Sequence, residues 1–265
     1  MSTFFEKIND LDILLHCDGY EREYFFAECS RLAYKGQKLA SKEFKKVGFT
    51  SYKFCSVEGA QCHIVKNRDY IVIAFRGTEP RQFSDIKADL MAWKRKSRTE
   101  GHVHAGFKNE LDKLWADIKM GLSRKGDRTI FLCGHSLGGA IATVCASRLE
   151  KDVEELYTYG SPRVGGDVFR DNLLVDHCRV VNNNDMVAKV PFWLMGYRHH
   201  GYLTYINHYG NIRELTSWQK LKDQIRGRWC ALRKFQMFDG IRDHDIGKYC
   251  KKLKSLVKIE PTFGD

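Results

Sequence analysis

The chain has few of the features that mark linkers, membrane spans and metal-binding or redox modules. Only four prolines occur in 265 residues, which excludes a proline-rich linker protein. No stretch approaches the roughly 18 uncharged apolar residues that a bilayer-crossing helix requires. No CxxC pair occurs among the nine cysteines, so neither a zinc ribbon nor a thioredoxin-like site is expected.

The first twenty residues also lack the pattern of a secretory leader. They contain no basic n-region, and their longest apolar run is the ILL at residues 13–15. We therefore expect no signal peptide, with export without a leader as the alternative. The irregularly spaced cysteines are interpreted as reduced and mostly buried thiols. Together these observations predict a cytoplasmic protein.

Composition indicates a folded domain with an excess of positive charge. With 43% hydrophobic and 12% aromatic residues, the chain can bury a sizeable core. Its length suits one barrel or open-sheet α/β domain, so we expect residues 1–265 to form a single domain. The 44 Lys and Arg against 33 Asp and Glu give a net charge of +11. That charge suits an anionic partner such as a phospholipid surface, nucleic acid or acidic substrate, or is simply solvated.

Alternating hydrophobic patterns predict an α/β fold with a mostly parallel sheet. Unbroken apolar runs are typical of strands that are covered on both faces. Strands are predicted at residues 50–57, 61–66, 70–75, 129–133 and 178–182. Helices are predicted at residues 20–39, 107–121 and 138–150, and a short one follows residue 244. Strands that alternate with helices favour a parallel sheet.

The sharpest local signal is the sequence GHSLG at residues 134–138. Alone, a GxSxG pattern is weak evidence, but here it lies between a predicted strand and a helix rich in small residues. A nucleophile elbow requires this context, because its serine sits on a tight strand-to-helix turn. Gly134 and Gly138 would let strand and helix approach closely around that turn. Ser136 is therefore the candidate nucleophile.

A serine nucleophile requires a base and an acid that orients the base. Asp185 follows a predicted strand, at the carboxyl edge where α/β sheets place their chemistry. By contrast, Asp167, Asp171 and Asp176 precede that strand, and we expect them at the surface. Asp185 is the candidate acid.

Four histidines follow Asp185, and spacing alone leaves the base undecided between two of them. His244 lies in the segment DHDIGKY near the end of the chain and is favoured over His208. His199 and His200 lie in a loop rich in glycine and tyrosine, where we expect surface residues.

Two turns offer backbone donors for an oxyanion hole. One is the turn at residues 76–78, which ends the strand predicted at residues 70–75. The other contains Leu137, directly after the candidate nucleophile. Arg76 is expected to pair with a carboxylate beneath the first turn.

Five motifs now support a resemblance that covers roughly residues 25–250. They are FRGTEP at 75–80, HAGF at 104–107, GHSLGGAIA at 134–142, YGSPRVGG at 159–166 and DHDIGKY at 243–249. In this order they resemble the class-3, fungal-type lipase family. The resemblance implies an α/β-hydrolase fold, with a mostly parallel central sheet flanked by helices. It also implies hydrolysis of acyl esters such as acylglycerols, without a metal or other cofactor.

The resemblance further implies a role for each candidate residue. It makes Ser136 the nucleophile, Asp185 the acid and His244 the base. The oxyanion donors would be Thr78, through its N–H and hydroxyl, and Leu137.

A mobile helical lid over the site is also implied, at about residues 81–98. Apolar side chains recur there at helical spacing among basic ones: Phe83, Ile86, Leu90 and Trp93 among Arg81, Lys87, Lys94, Arg95, Lys96 and Arg98. Apolar and basic helices lie at membrane interfaces, so we expect this lid to open at an anionic lipid surface. A second apolar stripe, Trp218, Leu221, Ile225, Trp229 and Leu232, also lies among basic residues and is expected to pack on the core.

The sequence therefore predicts a serine ester hydrolase of the lipase type. One alternative is a phospholipase A-type enzyme that acts on anionic membranes. Another is a non-catalytic membrane-binding or nucleic-acid-binding protein on a hydrolase scaffold, which an intact Ser136, Asp185 and His244 argue against. We expect a lipid or ester substrate, peripheral contact with an anionic membrane surface, and no nucleic-acid partner.

Overall fold

The computed structural model describes residues 3–6, 8, 11, 20–77, 93–212 and 242–257. The helices are α1 (Tyr20–Leu32), α2 (Gln37–Lys46), α3 (Ala105–Leu122), α4 (Leu137–Leu149), α5 (Asp167–Asp171) and α6 (Ile246–Leu256). The strands are β1 (Ser51–Val57), β2 (Ala60–Lys66), β3 (Tyr70–Phe75), β4 (Lys94–Lys96), β5 (His102–His104), β6 (Thr129–His135), β7 (Val153–Tyr159), β8 (Asp176–Asn182) and β9 (Tyr202–Ile206). Single 3₁₀ turns lie at Glu150–Asp152, Val187–Lys189 and Trp193–Met195.

Seven of these strands form one sheet in the order β1-β2-β3-β6-β7-β8-β9. The pairs β1/β2 and β2/β3 are antiparallel, whereas every pair from β3 to β9 is parallel. The strands β4 and β5 form a separate antiparallel pair. Because the carboxyl ends of β6, β7 and β8 lie at the same edge, residues that follow these strands come together there.

The central strands are apolar along their length because helices cover the sheet on both faces. All six residues of β3, YIVIAF, are buried. One core cluster packs α1, α2 and α6 against one face of the sheet, and a second packs α3 and α4 against the other. The predicted α/β-hydrolase architecture is confirmed, with a mostly parallel central sheet flanked by helices.

Several boundaries differ from the predictions. The helix expected at residues 20–39 is two helices, α1 and α2, which are separated by a turn at residues 33–36. The strands β7 and β9 were not predicted at all. Residues 94–96, expected as the end of a lid helix, form strand β4, in which Arg95 pairs with Val103 of β5.

Other predictions concern burial and the parts of the chain beyond the described ranges. The seven described cysteines are buried and form no disulfide. In the described ranges, every helix is too short or too polar to cross a bilayer. Lid residues 81–92 and the stripe at 218–232 lie outside the described residues. The single-domain organisation stays a prediction.

Candidate active site

Ser136 occupies the turn between β6 and α4 with a backbone conformation that side chains rarely adopt. Its φ is 58° and its ψ is −130°, and the strain of a positive φ at a non-glycine residue is typical of functional turns. A Cβ on Gly134 would collide with the backbone of Gly138, and one on Gly138 would collide with that of Phe75. Both glycines therefore permit the close approach that the elbow needs.

Asp185 and His244 form a buried hydrogen-bonded pair. Nδ1 of His244 lies 2.8 Å from Oδ2 and 3.0 Å from Oδ1 of the Asp185 carboxylate. A carboxylate accepts, so this ring nitrogen carries the proton. In the neutral ring, the other nitrogen, Nε2, is then a proton acceptor. This is the tautomer in which a histidine can act as a general base.

Two further donors hold the Asp185 carboxylate. The hydroxyl of Tyr249 in α6 donates to Oδ2 at 2.5 Å, and the backbone N–H of Val187 donates to Oδ1 at 2.9 Å. The Tyr249 hydroxyl also accepts from the N–H of Asn182 at 3.1 Å. Burial, and next the charge of Asp185, raises the pKa of Tyr249 well above its ordinary value, so the phenol stays protonated.

His135 connects the elbow to the base. Its Nε2 lies 2.6 Å from the carbonyl oxygen of His244, which can only accept, so Nε2 carries the proton. Its Nδ1 therefore accepts from the hydroxyl of Tyr34 at 2.8 Å. Burial, followed by the neighbouring His244, lowers the pKa of His135 well below its ordinary value, which keeps the ring neutral. Since His135 immediately precedes Ser136, these contacts bring the elbow and His244 to one place.

Gly160, at the end of β7, lies directly against the acid and the base. The preceding carbonyl, of Tyr159, accepts from the N–H of Ser136 at 2.9 Å. Gly160 has a φ of +56°, and a Cβ on it would lie 2.9 Å from Nδ1 of His244 and closer still to the Asp185 carboxylate. The site therefore requires glycine here for both its conformation and its lack of a side chain.

Residues that follow β8 fix the segment carrying the base. The side-chain amide of Asn182 donates to the carbonyl of Asp243 at 2.8 Å. That of Asn183 donates to the Asp243 carboxylate at 2.9 Å. The residue immediately before His244 is thus tied to the strand end that carries Asp185.

The structure brings most of the predicted site residues to this edge of the sheet. Ser136 and Leu137 lie at the start of α4, and Asp185 contacts His244. Thr78, the other predicted oxyanion donor, lies outside the described residues. The three aspartates that were expected at the surface are exposed: Asp167, Asp171 and Asp176.

Two predictions about other side chains need correction or remain open. His199 and His200 were expected at the surface, but both are half-buried beside β8. The cause is their contacts: the ring of His200 stacks on that of His177 in β8, and His199 donates to the carbonyl of Ala188. Arg76 donates to the side-chain oxygen of Gln61 at 2.7 Å, and its expected pairing with a carboxylate stays a prediction.

Residues 72–195 match the family described as Lipase (class 3). Over these residues, which make up just under half of its length, the chain resembles the class 3 lipase family. Among curated members, it is 42% identical over 106 residues to secreted mono- and diacylglycerol lipase 1 of Fusarium solani, covering 37% of this chain and 32% of that protein. It is 31% identical over 149 residues to secreted mono- and diacylglycerol lipase A of Penicillium cyclopium, covering 49% and 45%. The chain thus spans less than half of these relatives' lengths.

Solved lipase structures share the fold. A deletion mutant of the Rhizomucor miehei lipase propeptide complex superposes with a TM-score of 0.65 at 19% identity, over 86% of this chain and 78% of that one. The lipase of Rhizopus microsporus var. chinensis gives a TM-score of 0.57 at 24% identity, over 70% and 72%. At these identities the likeness shows the α/β-hydrolase fold.

These class 3 relatives overturn the predicted location. The cytoplasmic prediction is wrong, because the matched proteins of Fusarium solani and Penicillium cyclopium are named secreted lipases. The error has a physical origin. A buried cysteine packs as a small apolar side chain, so free thiols inside the core do not report the redox state of a compartment.

Proposed function

We propose that this protein is a serine ester hydrolase of the lipase type, in which Ser136, His244 and Asp185 form the catalytic triad. One observation carries the proposal: the buried Asp185–His244 pair, with 2.8 Å between carboxylate and ring nitrogen, at the sheet edge where Ser136 occupies a strained elbow. The Oγ of Ser136 is itself buried and makes no hydrogen bond to any described residue. No described group of the scaffold therefore competes with the base for this hydroxyl.

The chemistry follows from this arrangement. Oγ of Ser136 attacks the carbonyl carbon of an acyl ester while Nε2 of His244 takes the hydroxyl proton. The tetrahedral intermediate collapses, and the C–O bond to the alcohol breaks as His244 returns that proton to the departing oxygen. Water then attacks the acyl-enzyme by the same route and releases the carboxylic acid. Asp185 holds the imidazolium without itself being protonated. The cycle needs no metal or organic cofactor.

The negative oxygen of the intermediate requires donors that are already in place. The N–H of Leu137 is the first of helix α4, and the first N–H groups of a helix have no partner within it. The partial positive charge at this helix end favours an anion in the same position. We propose Leu137 as one oxyanion donor and Thr78 as the other.

We propose acylglycerols as the substrate class, in line with the names of the Fusarium solani and Penicillium cyclopium relatives. A panel of mono-, di- and triacylglycerol emulsions, phospholipid vesicles and a soluble p-nitrophenyl ester tests this choice. Faster turnover of phospholipid than of every acylglycerol would instead support the phospholipase alternative.

The triad is tested with the full chain and a fluorophosphonate probe, which labels activated serines. Ser136→Ala should abolish labelling and lower ester turnover by about 10⁶-fold, because triad members act as a unit. Ser147→Ala, in the same helix α4, is the matched control and should retain both. Labelling and turnover that survive in the Ser136 variant would overturn the proposal and favour a non-catalytic role.

We also propose that the protein meets its substrate at an anionic lipid surface, through an exposed apolar loop on the edge of the sheet that carries the site. Phe192, Trp193 and Leu194 are 50%, 60% and 77% exposed, and Trp93 is 88% exposed. Lys94, next to Trp93, donates to the carbonyl of Gly196 at 3.2 Å, which places the two segments side by side. Apolar side chains beside basic ones favour interfacial binding.

Vesicle binding by the Ser136→Ala protein tests this surface. Leu194→Ser should weaken binding to vesicles that contain phosphatidylglycerol, whereas Leu174→Ser, at the opposite end of β8 and 85% exposed, should not. Reversing Arg95 and Lys96 to glutamate should remove the preference for anionic over neutral vesicles, because each basic side chain contributes about 1 kcal/mol at such a surface. Equal weakening by both leucine variants would contradict the proposed surface.

A further inference from the structure

A second polar centre lies beside β8, apart from the triad. A small cavity there is lined by Arg170, Arg179, Arg198 and the three histidines His177, His199 and His200, together with apolar and hydroxyl groups. Among the described residues, its lining contains no Asp or Glu. Buried cations in proteins are normally paired with a carboxylate, so this composition is unusual.

The outer arginines have carboxylate partners, whereas the inner one does not. Asp167, outside the cavity, pairs with Arg170 at 2.9 Å and with Arg198 at 3.0 Å. Arg179 makes no ion pair with any described residue, and its Nε is buried without a hydrogen-bond partner there. Burial, and next the neighbouring Arg163, lowers the pKa of Arg179 to about 10. Its guanidinium is therefore still charged at neutral pH.

The surrounding histidines do not neutralise that charge. Burial, followed by the nearby basic groups, lowers the pKa of His177 and of His199 well below the ordinary value, so both rings are neutral. His177 bonds Thr158 at 2.8 Å, and His199 donates to the carbonyl of Ala188 at 2.8 Å. Arg179 is thus a fixed positive charge in a polar enclosure, and its Nε–H has no acceptor among the described residues.

We propose that this cavity is a binding site for a small monovalent inorganic anion of about the size of chloride, held by Arg179. The anion would supply the missing acceptor for Nε and the missing counter-charge. Size selects this class of ligand, because the space open to a water-sized occupant is about 10 Å³, roughly one such particle. A phosphate or an organic carboxylate requires more room.

The anion would act on the segment that carries the acid. The carbonyl that His199 holds belongs to Ala188, in the 3₁₀ turn directly after Asp185 and Met186. Arg163 donates to the carbonyls of Lys189 and Pro191 in the same segment. Occupancy would therefore stabilise residues 187–191, which follow Asp185 in the chain. This effect on stability does not depend on whether the protein hydrolyses esters.

Thermal unfolding of the full chain tests the proposal, with sodium chloride replacing sodium gluconate at constant ionic strength. A ligand that binds only the folded state raises Tm saturably, so the wild type and the exposed-arginine control Arg68→Gln should gain on the order of a few degrees. Arg179→Gln should gain nothing. An equal rise in all three proteins would overturn the site in favour of a general salt effect.

A second measurement does not depend on whether the variant folds. Crystals of the wild-type chain soaked in sodium bromide should give an anomalous peak beside Nε of Arg179. No peak in this cavity, with bromide visible elsewhere on the surface, would overturn the proposal.

Discussion

The hydroxyl of Tyr249 lies 2.5 Å from Oδ2 of Asp185, the same carboxylate oxygen that Nδ1 of His244 approaches to 2.8 Å. The carboxylate of Asp185 therefore accepts hydrogen bonds both from Tyr249 in α6 and from the base, His244. A phenol that donates to a carboxylate contributes a charge-assisted hydrogen bond. In the proposed mechanism, Tyr249 is therefore a positioning residue that acts through Asp185.

Tyr249→Phe should lower kcat for a soluble ester by about 10-fold while KM changes little. The variant loses one hydrogen bond to a charged group and leaves the N–H of Asn182 without its acceptor. With one donor fewer, Asp185 orients His244 less firmly, so the loss should fall on the chemical step, which single-turnover kinetics measure. Tyr209→Phe, at a tyrosine that is 65% exposed, is the control. An unchanged kcat with only a loss of thermal stability would assign Tyr249 a purely structural role.

Asp185→Asn should lower kcat by about 10⁴-fold with the fold retained, because an amide no longer fixes the proton on Nδ1 of His244. Far-UV circular dichroism checks the fold, and single-turnover kinetics report the chemical step. Asp243→Asn, one residue before the base, should cost far less, since its carboxylate is bonded to Asn183 rather than to the ring. If the two variants were equally impaired, the assignment of Asp185 as the acid would be wrong.

Local pattern was sufficient for β3, β6 and β8, but not for β7, which lies between β6 and β8. The run YIVIAF predicts β3 because every residue is apolar and both faces are covered. Strand β7 was missed because its sequence, VEELYTY, carries two glutamates. One of them, Glu155, is accommodated by an ion pair with Arg22 at 2.9 Å. That partner lies far away in the sequence, so no local pattern reveals it.

The candidate site likewise contains residues that local sequence reveals and residues whose contacts only the fold creates. Ser136, Asp185 and His244 lie in motifs or at strand ends and were predicted from the sequence. Tyr249 and His135 lie within two of the same motifs, but their contacts depend on how α6 packs against the sheet. Only the fold brings Tyr249 to Asp185 and His135 to the carbonyl of His244, so their roles could not be predicted from spacing.

Gly160→Ala should lower ester turnover by at least about 10²-fold, because misplacement of reacting groups by about 1 Å has an effect of that size. Its Cβ would meet Asp185 and His244 directly. Gly126→Ala is a close control, since Gly126 has a φ of +57° and its nearest neighbour would lie 3.7 Å away, at a flexible arginine. The control should lose only about 1 kcal/mol of stability from the left-handed conformation.

Activity assays and chemical denaturation of both glycine variants separate the two effects. The expected result is a similar backbone cost in both proteins and a loss of turnover in the Gly160 variant alone. Full turnover in Gly160→Ala would show that Asp185 and His244 can move apart without consequence for catalysis.

Glu23 in α1 is only 8% exposed and accepts a weak hydrogen bond from the thiol of Cys178 at 3.7 Å. Burial raises the pKa of Glu23 from 4.5 to about 7 in the folded protein. Between these two pH values the unfolded chain releases this proton while the folded chain retains it. The unfolded state then binds fewer protons, so the free energy of unfolding falls as pH rises. The loss is complete above about pH 7, where burying the ionised carboxylate costs on the order of 3 kcal/mol.

Glu23→Gln removes the titrating group and should remove this loss. Urea unfolding at pH 5 and pH 8 checks it: relative to wild type, the variant should gain on the order of 3 kcal/mol between the two pH values. Glu154→Gln, at an exposed glutamate, should follow the wild type at both. Because both glutamine variants remove one negative charge, a change in net charge would affect them alike, whereas the burial of Glu23 affects only one. Parallel behaviour of all three proteins would mean that Glu23 ionises in the folded state as easily as in the unfolded chain.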